Sequence, residues 1–338
     1  MTMSVASTRP VPGADMPALV YTAPGRVEVQ VVPTPTPATD EVLIDVRVSG
    51  ICGSETHGVR VRDPFRVPPL IMGHEFAGNR SDTGERVVVN PLLSCGHCPD
   101  CRAGRENLCT ERSLIGVHRP GGFARWAAVP VSALHALPDH MSWDSAALIE
   151  PLANVVHGWR LLGEKPHGRV AVIGAGAIGL MTTAVATLCS PDVEVTVVDR
   201  VERRLAVAQL LGAAVVGSEL TGQFDVVVDA VGSGETRRAG LDSLRPGGTS
   251  LWFGLHDDNP GFDALRLVRQ EQRVIGSFAY GGDDFAAAIE LAPEVDATWL
   301  DFVPVADSAR TFMGLTDGSC DAVKAVVDFS ASSSETSD

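Results

Sequence analysis

The sequence predicts a two-domain α/β protein, a β-rich segment joined to a doubly wound parallel sheet of Rossmann type. Three observations carry this. Up to about Ser145, short β-branched runs are split by proline and glycine turns. Beyond it, strand and helix patterns alternate. Within that alternation, VAVIGAGAIG sets a glycine turn between a strand and a helix.

In the first half, VEVQVV, EVLIDVRV and ERVVVNP read as strands. AALIEPLANVVHGWRLL has helical periodicity and marks the change of texture. RVAVIGAG is then a strand into a glycine turn, AIGLMTTAVATLC a helix, EVTVVD a strand and ERRLAVAQLLGA a helix. FDVVVDAVG is a strand, ETRRAGLDSLRPGG a helix with a glycine stop, and TSLWFGL and RVIGSFAY are strands. DDFAAAIELA reads as a helix and AVKAVVDF as a last strand. The expected division is 16–154 with 288–330 as the first domain and 155–287 as the second. Residues 1–15 are expected to be a loose extension and 331–338 a disordered tail.

The 338 residues suit about two domains, and a 45% apolar content is ample for packed cores. A net charge of −15 argues against nucleic acid or an anionic membrane surface as partner. Val170–Cys189 is an uncharged run long enough to span a membrane, but its glycines and threonines suit a buried strand, turn and helix better. The N-terminus has no apolar signal-peptide core, so the expected compartment is the reducing cytoplasm.

Gly174, Gly176 and Gly179 form G-x-G-x-x-G, with Ala177 and Ile178 opening the helix. Such a turn lets the backbone and the helix N-terminus meet a pyrophosphate. A second strand ends in Asp199, where a carboxylate accepts ribose hydroxyls and repels a 2′-phosphate. NAD is therefore expected over NADP. Arg200 and Arg204, with Arg203, either pair with a 2′-phosphate or form a solvated helix start.

Four of seven cysteines, Cys95, Cys98, Cys101 and Cys109, crowd into SCGHCPDCRAGRENLC. In a reducing compartment that crowding suggests metal, and C-x2-C steps fit either one tetrahedral zinc or an iron–sulfur cluster. Upstream lie GICGSETH with Cys52, Ser54 and His57, and GHEFAG with His74 and Glu75; Glu150 follows in ALIEPLANV.

On these motifs, in this order, the chain resembles the zinc-dependent medium-chain dehydrogenase/reductase family from about Pro17 to Phe329. It is nearer the polyol branch, with sorbitol, threonine and aminocyclitol dehydrogenases, than the liver-type alcohol dehydrogenases. The resemblance implies a GroES-like β-rich catalytic domain and two zinc ions. Cys95, Cys98, Cys101 and Cys109 match a closed structural site, which favours zinc there over a cluster. Cys52, His74, Glu75 and Glu150 match the catalytic site, with either glutamate as direct ligand. Ser54 and His57 match a proton relay that runs by way of the nicotinamide ribose to solvent.

The implied reaction is reversible hydride transfer between NAD and a secondary alcohol, a polyol, cyclitol, aminocyclitol or sugar derivative. The implied assembly is a homodimer or homotetramer. His118 is a weaker candidate for the substrate pocket, His97 faces solvent, His157 reads as a packing residue, and Cys189 and Cys320 read as core residues. Three departures stand out. The segment NRSDTGERV is short, the segment before FDVVVDAVG is short enough to clip one helix, and Arg125 replaces the family's usual acid after G-G-F-A. The rival readings are a zinc-free quinone or enoyl reductase on the same fold and a non-catalytic nucleotide binder.

Overall fold

A computed structural model describes residues 13–163, 166–256 and 261–330. The expected tail at 331–338 lies outside the described residues, as does the extension up to residue 12. Residues 13–15 are held: the Gly13 N–H donates to the Thr34 carbonyl at 3.1 Å, and Asp15 opens the first strand. The chain forms two compact units. One takes in the chain up to Arg102, Leu108–Glu150 and the chain from Leu300 on; the other takes in Ala103–Asn107 and Pro151–Trp299.

In the first unit, β1 (Asp15–Ala23) and β2 (Arg26–Pro33) form a hairpin, turned at Gly25 with φ +75°. β3 (Glu41–Gly50) leads into α1 (Gly53–Val61), and β4 (Leu70–Ile71) pairs with β1. β5 (Glu75–Arg80) and β6 (Arg86–Val89) follow, joined by the short NRSDTGERV turn. β7 (Leu92–Leu93), α2 (Pro99–Arg102) and β8 (Ser113–Leu114) build the cysteine-rich lobe. β9 (Trp126–Pro130), β10 (Leu134–Ala136) and α3 (Trp143–Ala146) complete this stretch.

The main sheet runs β10-β6-β5-β3, with β9 also on β3, and continues onto two strands from the end of the chain. β3 carries an alternating pattern but is covered on both faces. Val42, Ile44 and Val46 enter the main core with Phe76 and Phe123. Leu43 packs on the other side with Ala18, Val20 and Trp126.

Arg125 lies at a β3–β9 contact. Its Nη2 pairs with Asp45 Oδ1 at 2.8 Å, and its Nη1 donates to the Phe329 carbonyl. Burial pushes the Asp45 carboxyl up although Arg125 and Arg47 oppose it, and burial also holds Arg125 below its ordinary value. The departure from the family's usual acid is thus matched by a buried partner of opposite sign.

α4 (Ile149–Leu161) begins in the first unit and ends in the second. The second unit then alternates β11 (Gly168–Ile173), α5 (Ala177–Cys189), β12 (Val193–Val198), α6 (Glu202–Leu210), β13 (Val215–Gly217) and β14 (Phe224–Asp229). It continues with α7 (Gly234–Asp242), β15 (Leu244–Trp252), α8 (Ala264–Arg269), β16 (Arg273–Gly276) and α9 (Gly282–Leu291). All pairings are parallel in the order β13-β12-β11-β14-β15-β16, the doubly wound Rossmann order.

No helix lies between β13 and β14, so the clipped crossover is real. The helix expected to reach the Pro-Gly-Gly stop ends instead at Asp242, and β15 takes up Leu244 onward. Proline cannot continue a helix, and Gly247 at φ +77° turns the backbone there. The uncharged Val170–Cys189 run folds as strand, turn and helix, and no helix among the described residues is long and apolar enough to cross a membrane.

His157 is buried on α4. Its Nδ1 lies 2.8 Å from Asp284 Oδ2, which also accepts from Arg160 and from the Gly281 N–H at the start of α9. Cys189 and Cys320 are half-buried rather than central, and Cys320 packs against the first unit's core.

The chain re-enters the first unit with β17 (Asp301–Pro304), α10 (Val305–Asp317) and β18 (Ala325–Asp328), and β18 pairs with β3. α10 has no side-chain cap to mark its start in the sequence, and Val305, Phe312 and Leu315 recur along it at helical spacing and pack on the core. Phe312 meets Phe123 edge to face at 6.4 Å.

Candidate metal and active site

α1 starts on Cys52, whose backbone is extended at φ −89°. Its N–H donates to Glu55 Oε2 at 3.0 Å, so the third residue of the helix reaches back over the N-terminus. Glu55 is fully buried. Its Oε1 accepts the Gly73 N–H and faces His74 Nδ1, both at 2.9 Å. One carboxylate therefore ties the start of α1 to the start of β5 and orients the imidazole. With Nδ1 engaged by Glu55, Nε2 is the nitrogen available to a ligand.

Burial opposes charge on both partners, but each holds the other charged: His74 is raised well above its ordinary value and Glu55 is lowered. Donor atoms of Cys52, His74 and Glu75 lie within 4.8 Å of one another. Glu75 sits opposite Gly50 across the β3–β5 ladder. A Cβ on Gly50 would stand 2.2 Å from Glu75 Oε2, so only glycine leaves the carboxylate its place.

Lys324, just before β18, is buried with its Nζ on Glu75 Oε2 and 3.0 Å from the Ile51 carbonyl. Burial lowers the lysine's pKa, but Glu75 and then Cys52 outweigh it and raise it. The ammonium thus offsets one anionic charge of the donor set. Glu150, in the first turn of α4, is buried but is not among the donors that come within 4.8 Å of one another.

A soft thiolate, an imidazole and a carboxylate, closely placed on rigid elements, are a donor set that suits catalytic zinc. Ser54 is exposed on α1 and its Oγ donates to Cys52 Sγ at 3.3 Å. His57 lies one turn on, half-buried, with Nδ1 3.2 Å from Arg60 Nη2.

The thiols of Cys95, Cys98, Cys101 and Cys109 also lie within 4.8 Å of one another. Cys95 and Cys101 are 3.8 Å apart, and Cys98 and Cys101 3.4 Å. A tetrahedron of thiolates about 2.3 Å from one ion has edges of about 3.8 Å. The four sulfurs therefore fit a closed zinc shell. The backbone N–H groups of His97 and Cys98 hold Cys95 down to about 6. The Cys101 N–H also lowers Cys98, but burial and the thiols around it outweigh that and push it up to about 11. His97 is exposed beside Cys95 and Glu111. His118 is exposed, its Nδ1 taken by the Leu114 N–H and its ring 6.0 Å from Phe65.

In the second unit, Gly174 has φ +92°, and a Cβ on Gly179 would meet the Gly174 carbonyl at 1.7 Å. Gly176 is the N-cap of α5 and faces open space, with Ala177 and Ile178 half-exposed beyond it. No side chain caps that N-terminus, so its amides remain for an anion. Asp199 accepts the Ala175 N–H at 2.7 Å and the Val201 N–H at 2.9 Å, so it braces the glycine turn. Arg204 is 3.9 Å from it, while Arg200 is exposed beside Glu235 at 3.5 Å.

Three participants escape motif reading: Glu55, Lys324 and Arg66, which donates to Ser54 Oγ. Glu55 had a local signal, as an acid at the third position of a helix. Lys324 had a fainter one, a single charge inside AVKAVV.

Comparison with known proteins agrees with this architecture. Residues 38–139 match the family described as alcohol dehydrogenase GroES-like domain, and 177–294 match zinc-binding dehydrogenase. The chain is 31% identical to L-galactonate-5-dehydrogenase of Escherichia coli (strain K12), over 87% of this chain and 94% of that protein. It is 35% identical to D-altritol 5-dehydrogenase of Agrobacterium fabrum, over 78% and 84%. A solved zinc-binding dehydrogenase of Sinorhizobium meliloti 1021 bound to NADP superposes with a TM-score of 0.84 at 28% identity, covering 93% of this chain and 99% of that one. The chain therefore belongs to the zinc-type medium-chain dehydrogenases, in their polyol branch, and is an alcohol oxidoreductase that works with a nicotinamide cofactor and zinc.

Proposed function

We propose that the protein oxidises a secondary hydroxyl of a polyhydroxylated substrate with NAD, reversibly, giving a ketone, NADH and a proton. The first unit is the catalytic domain and the second the cofactor domain. The observation that carries this reading is the closeness of Cys52, His74 and Glu75, with Ser54 Oγ 3.3 Å from the Cys52 sulfur. Cys52 and His74 hold the catalytic metal with a glutamate, and the four-cysteine lobe holds a second one.

Zinc, when bound, supplies the Lewis acidity that lowers the pKa of the substrate hydroxyl. Glu55 fixes the His74 ring, and the Lys324 ammonium holds the Glu75 carboxylate in place. Ser54 takes the hydroxyl proton on one face while releasing its own, and His57 returns a proton to solvent. Neutral polyols, sugar acids, cyclitols and aminocyclitols are the substrate candidates, since relatives act on altritol and on galactonate.

The test is a panel of those alcohols read by reduced-nicotinamide absorbance with NAD and with NADP. We expect turnover of at least one polyhydroxylated compound and a kcat/KM favouring NAD by on the order of tenfold, from the Asp199 carboxylate. Preference for NADP would remove Asp199 from cofactor selection. Silence across the panel would remove the substrate class.

We also propose a homodimer or homotetramer. β16 is a sheet edge among the described residues, with Val274 exposed on it, Phe278 exposed just after it, and Leu265 and Val268 exposed on α8. Light scattering should give two or four chains per particle; a one-chain mass defeats the idea.

A further inference from the structure

We propose that Arg66 is a positioning residue for the Ser54 hydroxyl. This rests on the relay reading of Ser54. After α1 the chain turns through Arg62, which is left-handed at φ 60°, and folds back on the helix. Asp63 anchors that turn: its N–H donates to the Gly58 carbonyl at 3.0 Å and its Oδ1 accepts the Phe65 N–H at 2.9 Å.

Arg66 then lies buried along α1. Ser54 and Gly58 are one turn apart, so they share a face of the helix. The Arg66 side chain crosses that face at Gly58, where an added Cβ would come within 3.1 Å of Nη1 and 3.3 Å of Cδ. Its Nη1 pairs with Asp63, and its Nη2 donates to Ser54 Oγ at 3.1 Å. The neighbouring buried carboxylate is Glu55, whose charge Arg66 also favours.

A serine hydroxyl has one proton and two lone pairs. The guanidinium, which can only donate, fills one lone pair permanently. What remains is one O–H, which in the substrate-free arrangement donates to Cys52 Sγ at 3.3 Å, and one lone pair. A relay hydroxyl uses those two: it must accept one proton while giving up another. Without Arg66 the hydroxyl rotates among its staggered positions, and only some of them are productive.

The experiment is a double-mutant cycle on the metal-loaded enzyme with the panel alcohol that is turned over fastest. Arg66→Met should lower kcat by on the order of tenfold with KM nearly unchanged, since orientation is lost and binding is not. Added to Ser54→Ala, the same change should alter kcat by less than about twofold. Arg66→Lys should retain most of the rate, and metal content should stay level in all of these.

Should Arg66→Met leave Asp63 uncompensated and unfold the chain, Asp63→Asn/Arg66→Met removes both charges and the same comparison applies. Equal losses with and without the Ser54 hydroxyl would overturn the inference alone, because Arg66 would then act by another route. A Ser54→Ala enzyme with undiminished kcat would overturn the relay reading itself, and the role of Arg66 with it.

Discussion

Cys52→Ser is expected to cut kcat by roughly 10³-fold or more while the fold survives. Cys52 supplies the soft anionic donor of the group it forms with His74 and Glu75. A serine hydroxyl in its place is neutral at working pH and a poor ligand for zinc. The fold should tolerate the change because Cys52 is the N-cap of α1, a position that serine suits. The tie from Glu55 to the residue-52 N–H uses backbone and is untouched. The checks are steady-state kinetics, metal content per chain and a thermal melt. An enzyme that kept its rate would show that the thiolate is dispensable and move the reactive centre elsewhere.

Cys98→Ser is expected to do the reverse. The four sulfurs fit one closed shell, so losing one should release about one metal equivalent and lower Tm by roughly 10 °C or more. The lobe has little else to hold it: two short strands, one turn of helix and four thiols, of which Cys101 and Cys109 are buried and Cys95 and Cys98 half-buried. A metal held there would be its effective core. Activity should fall only as the folded fraction falls, so molecules still folded well below the new Tm should turn over normally. Full metal content with an unshifted melt would refute a structural metal at this lobe. The two serine variants separate chemistry from scaffolding within one chain.

The parts legible from sequence alone were those whose meaning is local. Four cysteines within fifteen positions, or three glycines between a strand and a helix, state their geometry in their spacing. α5 was readable to the residue because it starts on a glycine turn and ends near Pro191. Lys324 was not legible, because its significance lies in a carboxylate 249 positions earlier, and only the return of β18 onto β3 brings them together. Arg66 was hidden for a smaller-scale reason: its reach to Ser54 depends on a left-handed turn at Arg62, which no side-chain pattern announces. Glu150 sat in the right motif, yet the close donor group forms without it. Sequence order can say that a residue belongs to a site without saying which atoms meet.

The Asp45–Arg125 pair has an evolutionary consequence. Asp45 is buried and Arg125 half-buried, and burial works against the charge on each, so the pair is held by mutual need rather than by surplus stability. A lineage that lost Arg125 would leave Asp45 only the more distant Arg47, at 3.6 Å, and one that lost Asp45 would leave Arg125 without its partner in β3. Positions 45 and 125 should therefore drift together across descendants of this chain, exchanging sign as a couple or going apolar as a couple. The arginine after G-G-F-A is then half of an inherited two-letter word, and its other half is spelled eighty positions earlier in β3.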